Sequence, residues 1–370
     1  MTYIEIDTPD RLTILLQQTL HVSQHVFLNL DFTPLSDLAA IRTFSDCIFL
    51  GCELPDKVSR QLDESCMVLP DIRVPYDIYR STLYSPMELY AGFDPADPAT
   101  MAECFDTRVY KHYLKQGKTT RNIRITLARS LHDHSISDAM HDFLTAFDER
   151  RLVGIMGGHG LLRTEEAFRK VARISKQLTE RGYLMISGGG PGAMEATHLG
   201  AWFAGRDNDE LDKAIKVLCE APSFRDERWL STAFEVMAQW PQQQFVSLGV
   251  PTWLYGHEPA TPFATHIAKY FENSIREDGI LTIAKGGIIF SPGSAGTLQE
   301  IFQDAVQNHY LSFGYASPMV FLDSDYWTRQ IPIYPLLCDL MEKGRYKNLL
   351  LSLADNEEEI VAQIEAFPKE

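Results

Sequence analysis

Short apolar runs alternate with segments of helical spacing over the first quarter of the chain. YIEI, VFLNLDF, CIFLGCEL and CMVLP read as strands, and TPDRLTILLQQTL and DKVSRQLDE as helices. The alternation predicts a small α/β region over residues 1–95. A Pro-, Tyr- and Asp-rich stretch then breaks the pattern with prolines at 75, 86, 95 and 98. It reads as a connecting or lid stretch, and residues 96–148 as a mostly helical connecting segment ending in the amphipathic SISDAMHDFLTAFDERR. From residue 149 to 370 the pattern becomes regular. LVGIM, YLMIS, FVSLG, GIIFS and MVFLD are continuous apolar strands separated by helix-length segments. Strands of that kind suit a sheet buried on both faces, and helical crossovers force parallel order. The expected fold class is α/β: a Rossmann-like, doubly wound parallel sheet with C-terminal helices, preceded by the additional α/β region. No repeat at solenoid period and no low-complexity tract is found.

Three strands run into glycine-rich turns followed by helix: Gly157-Gly158-His159-Gly160, Gly188-Gly189-Gly190-Pro191-Gly192, and Pro292-Gly293-Ser294-Ala295-Gly296-Thr297. Such turns lie where ligands bind in a sheet of this type. Glycine lets an anion approach the backbone, and the free amides of the following helix attract it. One turn alone is more often a tight connection; three in one sheet point to a nucleotide site. None has dinucleotide-fingerprint spacing, and no GxxxxGK[ST] occurs at these turns, so dehydrogenase and P-loop readings lack their residues. With no lysine placed for a γ-phosphate, a monophosphate fits better.

Charge narrows the partners. Lys plus Arg total 34 against 50 for Asp plus Glu, a formal net charge of -16. A chain this acidic repels nucleic acid and anionic lipid, so any phosphate must be held in a local pocket and the ligand should be small. No apolar run approaches the ~20 residues of a membrane span, and the expected location is the cytoplasm. The six cysteines read as buried thiols rather than disulfides, and their spacing suggests no metal site.

SGGGPGAMEA (187–196) and PGSAGTLQE (292–300) together resemble the GGGxxGxM and PGGxGTxxE signatures of the LOG family, over roughly residues 150–325. That family comprises cytokinin-activating phosphoribohydrolases and related bacterial nucleotide 5′-monophosphate nucleosidases. The resemblance implies a Rossmann-like fold, a homodimer or larger assembly, and cleavage of a nucleoside 5′-monophosphate to free base and ribose 5-phosphate, without a cofactor. It also implies that Glu300 is the catalytic carboxylate and Arg276 its cationic partner, the latter after a shift of about one residue. Gly157, Gly158, Gly188, Gly189, Gly190, Gly192, Gly293, Ser294, Gly296 and Thr297 are the candidate phosphate and nucleotide ligands. Glu195 is a candidate for the ribose hydroxyls. Ser294 stands where the family usually has glycine, which is tolerable if φ there is negative. "Lysine decarboxylase", an older label for such proteins, finds no support, because these motifs supply no Schiff-base lysine.

Each assignment has a plainer competitor. Thr297-Leu298-Gln299-Glu300 also reads as a capping box, Glu195 as a complement to a helix dipole, and Arg276 as a surface arginine paired with Glu272, Glu277 or Asp278. Arg163 is a second phosphate candidate, although an arginine at a helix N-terminus is commonly only solvated. His159 and His257 are left outside the catalytic set. Trp253, Tyr255 and Phe263 could form a base-stacking wall, and Gln307, Asn308 and His309 could read a base edge, or all could simply be packing and surface. The rival function is a non-catalytic nucleotide or molybdenum-cofactor carrier using the same cradle.

Overall fold

The computed structural model describes residues 3–367. They divide into two compact units, Met1–Thr82 with Gln116–Met140, and Leu83–Lys115 with His141–Glu370. The expected boundaries at 95 and 148 therefore move. Tyr84 pairs with Ile267 and the Tyr90 hydroxyl donates to the Ala260 carbonyl, which ties the Tyr-rich stretch from residue 83 to the C-terminal unit. Residues 116–140 belong instead with the N-terminal unit, where Ser135 Oγ donates to Ile78 O at 2.9 Å.

In the N-terminal unit, β1 (Ile4–Ile6), β3 (His25–Leu28), β5 (Ile48–Leu50) and β6 (Met67–Leu69) form a parallel sheet in that order, with α1 (Pro9–Gln18) between the first two. β2 (His21–Ser23) and β4 (Thr43–Ser45) form a second parallel pair. Each turn of chain stacks on the one before: Ile4 faces His25, Val26 faces Ile48 and Ile48 faces Met67. This is a short solenoid, contrary to the reading that no such repeat exists. Its coils share apolar spacing but little identity, and the last is shorter, so self-similarity is weak in the sequence. Phe27 stacks on Phe49 at 4.8 Å while Phe32 and Phe44 pack edge-on against Phe27, giving the coils a common aromatic core.

The C-terminal unit is a seven-stranded parallel sheet: β7 (Leu152–Met156), β8 (Leu184–Ser187), β9 (Ser247–Gly249), β10 (His266–Ile267), β11 (Gly287–Phe290), β12 (Pro318–Leu322) and β13 (Leu350–Ala354), in the order β10-β9-β8-β7-β11-β12-β13. All five expected strands are present; of the two edge strands, β10 is two residues long, while β13 (LLSLA) is an apolar run that the sequence reading passed over. β7, β8 and β11 are wholly buried, as continuous apolar sequence requires. Helices α2 (Glu166–Glu180) and α3 (Ala193–Trp202) pack so closely that a side chain at Gly200 would strike the backbone of Ala172. The chain runs outward from β7 to β10, then returns to β11 on the other side of β7. That reversal opens a crevice at the C-terminal ends of β7 and β11. No helix among the described residues is long and apolar enough to cross a membrane.

Candidate functional site

The turns after β7 and β11 meet at this crevice. Gly158 N–H donates to Pro292 O at 3.0 Å, and Gly293 lies so near Thr297 and the Gly158 amide that no Cβ fits there. A cavity of about 370 Å³ opens between them. Gly157, Gly158 and His159 form one wall and Ser294 to Thr297 another, with Arg276, Glu277, Gln299 and Glu300 beyond. Met194, Tyr255 and Glu258 complete it.

Arg276 and Glu277 sit on α4 (Asn273–Ile283), and Glu300 on α5 (Ala295–Tyr310). Helix α5 starts at Ala295, with Ser294 at the N-cap position making no side-chain cap. Its first backbone bond is Leu298 N–H to Ser294 O at 2.9 Å, so the amides of residues 295–297 precede the helical ladder and are free for an anion. Thr297 is thus inside the first turn, and Glu300 does not return to its amide: the capping-box alternative is not formed. Ser294 has φ -113°, so serine is accommodated where the family usually has glycine.

Glu300 is half-buried and burial pushes its carboxyl up to about 7; Arg276 pulls it down and Glu277 pushes it up. Arg276 Nε donates to Val250 O at 2.9 Å, and its guanidinium occupies the space a side chain at Gly188 would need. Among the described residues it makes no ion pair. Of the acids named as its possible partners, Glu277 accepts from Gln299 Nε2 at 2.9 Å and Asp278 from Gln303.

Glu195 is not at the cavity. It is 0% exposed and holds Arg163, 1% exposed, through Nε at 3.0 Å and Nη2 at 2.5 Å. Arg163 also donates to Ala221 O, Trp229 O and Thr232 Oγ1, and lies over the Trp229 ring. Both residues are therefore fully used in binding elements together. Gly188, Gly189, Gly190 and Gly192 do not line the cavity either. A Cβ at Gly188 would meet Arg276, at Gly189 the Gly249–Val250 backbone and Pro251, at Gly190 Met194, and at Gly192 the Gly158 carbonyl. Their lack of side chains lets the three turns pack. Beneath them His198, missed in the sequence, bridges Ser187 Oγ and Ser247 Oγ at 2.8 Å each, and Ser187 Oγ accepts from Gly189 N–H. Burial drives the His198 imidazole down to about 3, so it is a neutral strut.

Of the aromatic wall only Tyr255 reaches the cavity; Trp253 and Phe263 are buried, Trp253 Nε1 donating to Asp106 at 2.9 Å. Asn308 bonds Ser317, and His309 Nδ1 accepts from Lys347 N–H. Glu258, a carboxylate with no spacing signal to mark it, lines the cavity 3.8 Å from His159 and 3.7 Å from His257. All six cysteines are free thiols, two of them fully buried. Among the described residues no cluster of His, Cys, Asp and Glu is grouped to hold a metal ion.

No family model and no curated protein matches this chain. Among solved structures it is similar to the molybdenum cofactor binding protein of Rippkaea orientalis, at 13% identity and TM-score 0.35, covering 58% of this chain and 95% of that one. It is similar to the molybdenum cofactor carrier protein of Chlamydomonas reinhardtii at 16% identity and TM-score 0.35, covering 58% and 94%. TM1055 is similar at 19% identity and TM-score 0.39, covering 58% and 99%. Likenesses of this strength decide nothing about the site.

Proposed function

We propose that the protein hydrolyses the N-glycosidic bond of a nucleoside 5′-monophosphate, as its resemblance to the LOG family implies. The observation that carries this reading is a guanidinium without an ion pair, Arg276, sharing one cavity with a carboxyl without an ion pair, Glu300, and with the free helix amides. Its volume of about 370 Å³ suits a mononucleotide, ligand pockets running from about 300 to 1,000 Å³. The amides of residues 295–297 and the Thr297 hydroxyl hold the phosphate. Breaking the bond from C1′ to the base nitrogen leaves positive charge on the ribose, which ionised Glu300 stabilises. Water adds its oxygen to C1′ and gives a proton to Glu300, which passes it on as the base departs. Arg276 keeps enough of Glu300 ionised near neutrality to do this. The resemblance carries the further expectation of a homodimer or larger assembly, checked by light scattering.

The test is incubation with a panel of nucleoside 5′-monophosphates and the matching nucleosides, following free base and ribose 5-phosphate, with Glu300→Gln and Arg276→Ala alongside. Release from a monophosphate, abolished in Glu300→Gln, is expected. Tight binding of a nucleotide or pterin recovered uncleaved would replace the hydrolase with a carrier.

A further inference from the structure

The two carbonyls that lead into the glycine turn after β11 are each held from outside it. Pro292 O accepts from Gly158 N–H at 3.0 Å, and Gly293 O accepts from the Tyr326 hydroxyl at 2.6 Å. Tyr326 opens a short π-helical turn, Tyr326–Gln330, that follows β12. Two features hold it in place. Asp323, just past the strand, takes φ +84°, a conformation uncommon outside glycine, and its Oδ1 accepts the Tyr326 N–H at 3.0 Å. Trp327, fully buried, packs edge-on against the Tyr326 ring and donates from Nε1 to Phe290 O at 3.2 Å. One residue thus grips the end of β11 and its neighbour grips the turn that leaves it. π-helical turns are rare and gather at functional sites.

A trans peptide is planar, and its C=O and N–H point in opposite directions. Fixing the Gly293 carbonyl on Tyr326 therefore fixes the Ser294 N–H to point away from Tyr326. Ser294 lines the cavity and Tyr326 does not. No acceptor among the described residues takes the Ser294 N–H. We propose that Tyr326 is a positioning residue: by holding the Gly293 carbonyl out of the cavity it turns the Ser294 N–H into it, as a further amide for a phosphate beside those of residues 295–297. This rests on the reading that puts the phosphate at those amides. Without the hydroxyl the peptide is free to rotate, and a carbonyl turned to the phosphate repels where the amide attracts.

Gly293-Ser294 is the only Gly-Ser step in the chain, so isotope labels on the glycine carbonyl carbon and the serine nitrogen give an NMR signal from this peptide alone. The probe is ribose 5-phosphate, added to the unaltered chain and to Tyr326→Phe, which keeps the ring against Trp327 and removes only the hydroxyl. In the unaltered chain the signal should move on titration. In Tyr326→Phe it should move less, with affinity roughly fivefold to tenfold lower, the loss of about one hydrogen bond. For the monophosphate found to be cleaved, KM should rise while kcat holds. A hydroxyl that only satisfies a buried carbonyl would lower stability and leave the affinity and the response of the signal unchanged; that result overturns the proposal. Should Tyr326→Phe fail to fold, the unaltered chain still decides, because a signal that ribose 5-phosphate binding does not move overturns the proposal. Binding through Ser294 with no monophosphate cleaved removes the hydrolase and keeps the proposal. Cleavage with KM unchanged in Tyr326→Phe keeps the hydrolase and overturns the proposal. Ribose 5-phosphate that does not bind at all overturns the proposal together with the placing of the phosphate.

Discussion

Two arginine–glutamate combinations sit beside glycine turns of the same sheet and are built in opposite ways. Arg163 and Glu195 are joined by two hydrogen bonds, capped by carbonyls and a hydroxyl, and sealed from water. Arg276 and Glu300 share a cavity, Arg276 pulls the raised Glu300 carboxyl down, and neither has an ion-pair partner among the described residues. Burying charge is tolerable only when every polar atom is satisfied, so the first combination has nothing left to offer a ligand. In the second, the unmet demand is what a ligand would fill. Residue type does not distinguish the two; the count of satisfied atoms does.

The largest expected effect lies at the unsatisfied combination. Glu300→Gln should lower base release by about 10²–10⁴-fold, with thermal stability equal or higher, as judged by calorimetry. Arg163→Ala should do the reverse. It strands the Glu195 carboxylate in a dry interior, a loss of about 3–5 kcal/mol in urea unfolding, with KM and kcat of the folded fraction little changed. An Arg163→Ala protein of normal stability whose KM rises sharply would exchange the roles of the two combinations. A third effect links them to pH. Glu300 and Asp304 are raised from 4.5 and 3.8 to about 7 and 8, so the folded chain holds protons that the unfolded chain releases. The contribution of these two groups to stability is therefore full below about pH 4 and is lost as pH rises toward 8, at most about 1.4 kcal/mol per pH unit for each group. Asp304→Asn should flatten that slope in denaturant titrations at pH 5, 6, 7 and 8.

Much of the C-terminal sheet was legible, because strands buried on both faces must be apolar throughout: LVGIM and GIIFS could be little else. Edge strands such as His266–Ile267 escape, being too short to show a period. The site was half legible. The motif placed Glu300 and Thr297 beside the first glycine turn, where the cavity lies. It could not separate Gly293, beside the cavity, from Gly189, against the Gly249–Val250 backbone, since lack of a side chain serves ligand approach and chain packing alike. Glu195 was misplaced for a similar reason: a glutamate in a first helical turn looks the same whether it faces a ligand or a buried arginine 32 residues earlier. The solenoid was hidden because its coils repeat apolar spacing rather than residues.

Gly188→Ala probes the contact between the packing turn and the unsatisfied arginine. The new methyl must displace the Arg276 guanidinium or Met194. Side-chain ends can move, so the stability loss should stay near the lower end of the roughly 1–3 kcal/mol usual for overpacking. Displacing the guanidinium should nevertheless cost about tenfold in kcat/KM by removing its hold on Glu300, raising the acid limb as it does so. Wild-type kinetics in that variant would mean that Arg276 acts from elsewhere.

The smallest effect is expected at Ser294, where the motif departs from its usual glycine. Its φ is negative, its side chain is exposed and it caps nothing, so its hydroxyl contributes no bond to the helix it precedes. Ser294→Gly should change stability by only a few tenths of a kcal/mol, the ordinary difference between these residues at an N-cap, and kcat/KM by less than about threefold, since the amides that follow are untouched. A larger loss of binding than of stability would show that the hydroxyl itself meets the phosphate. Serine would then be an added ligand, placed on the same wall as the free amides and opposite in kind to the saturated groups around Arg163.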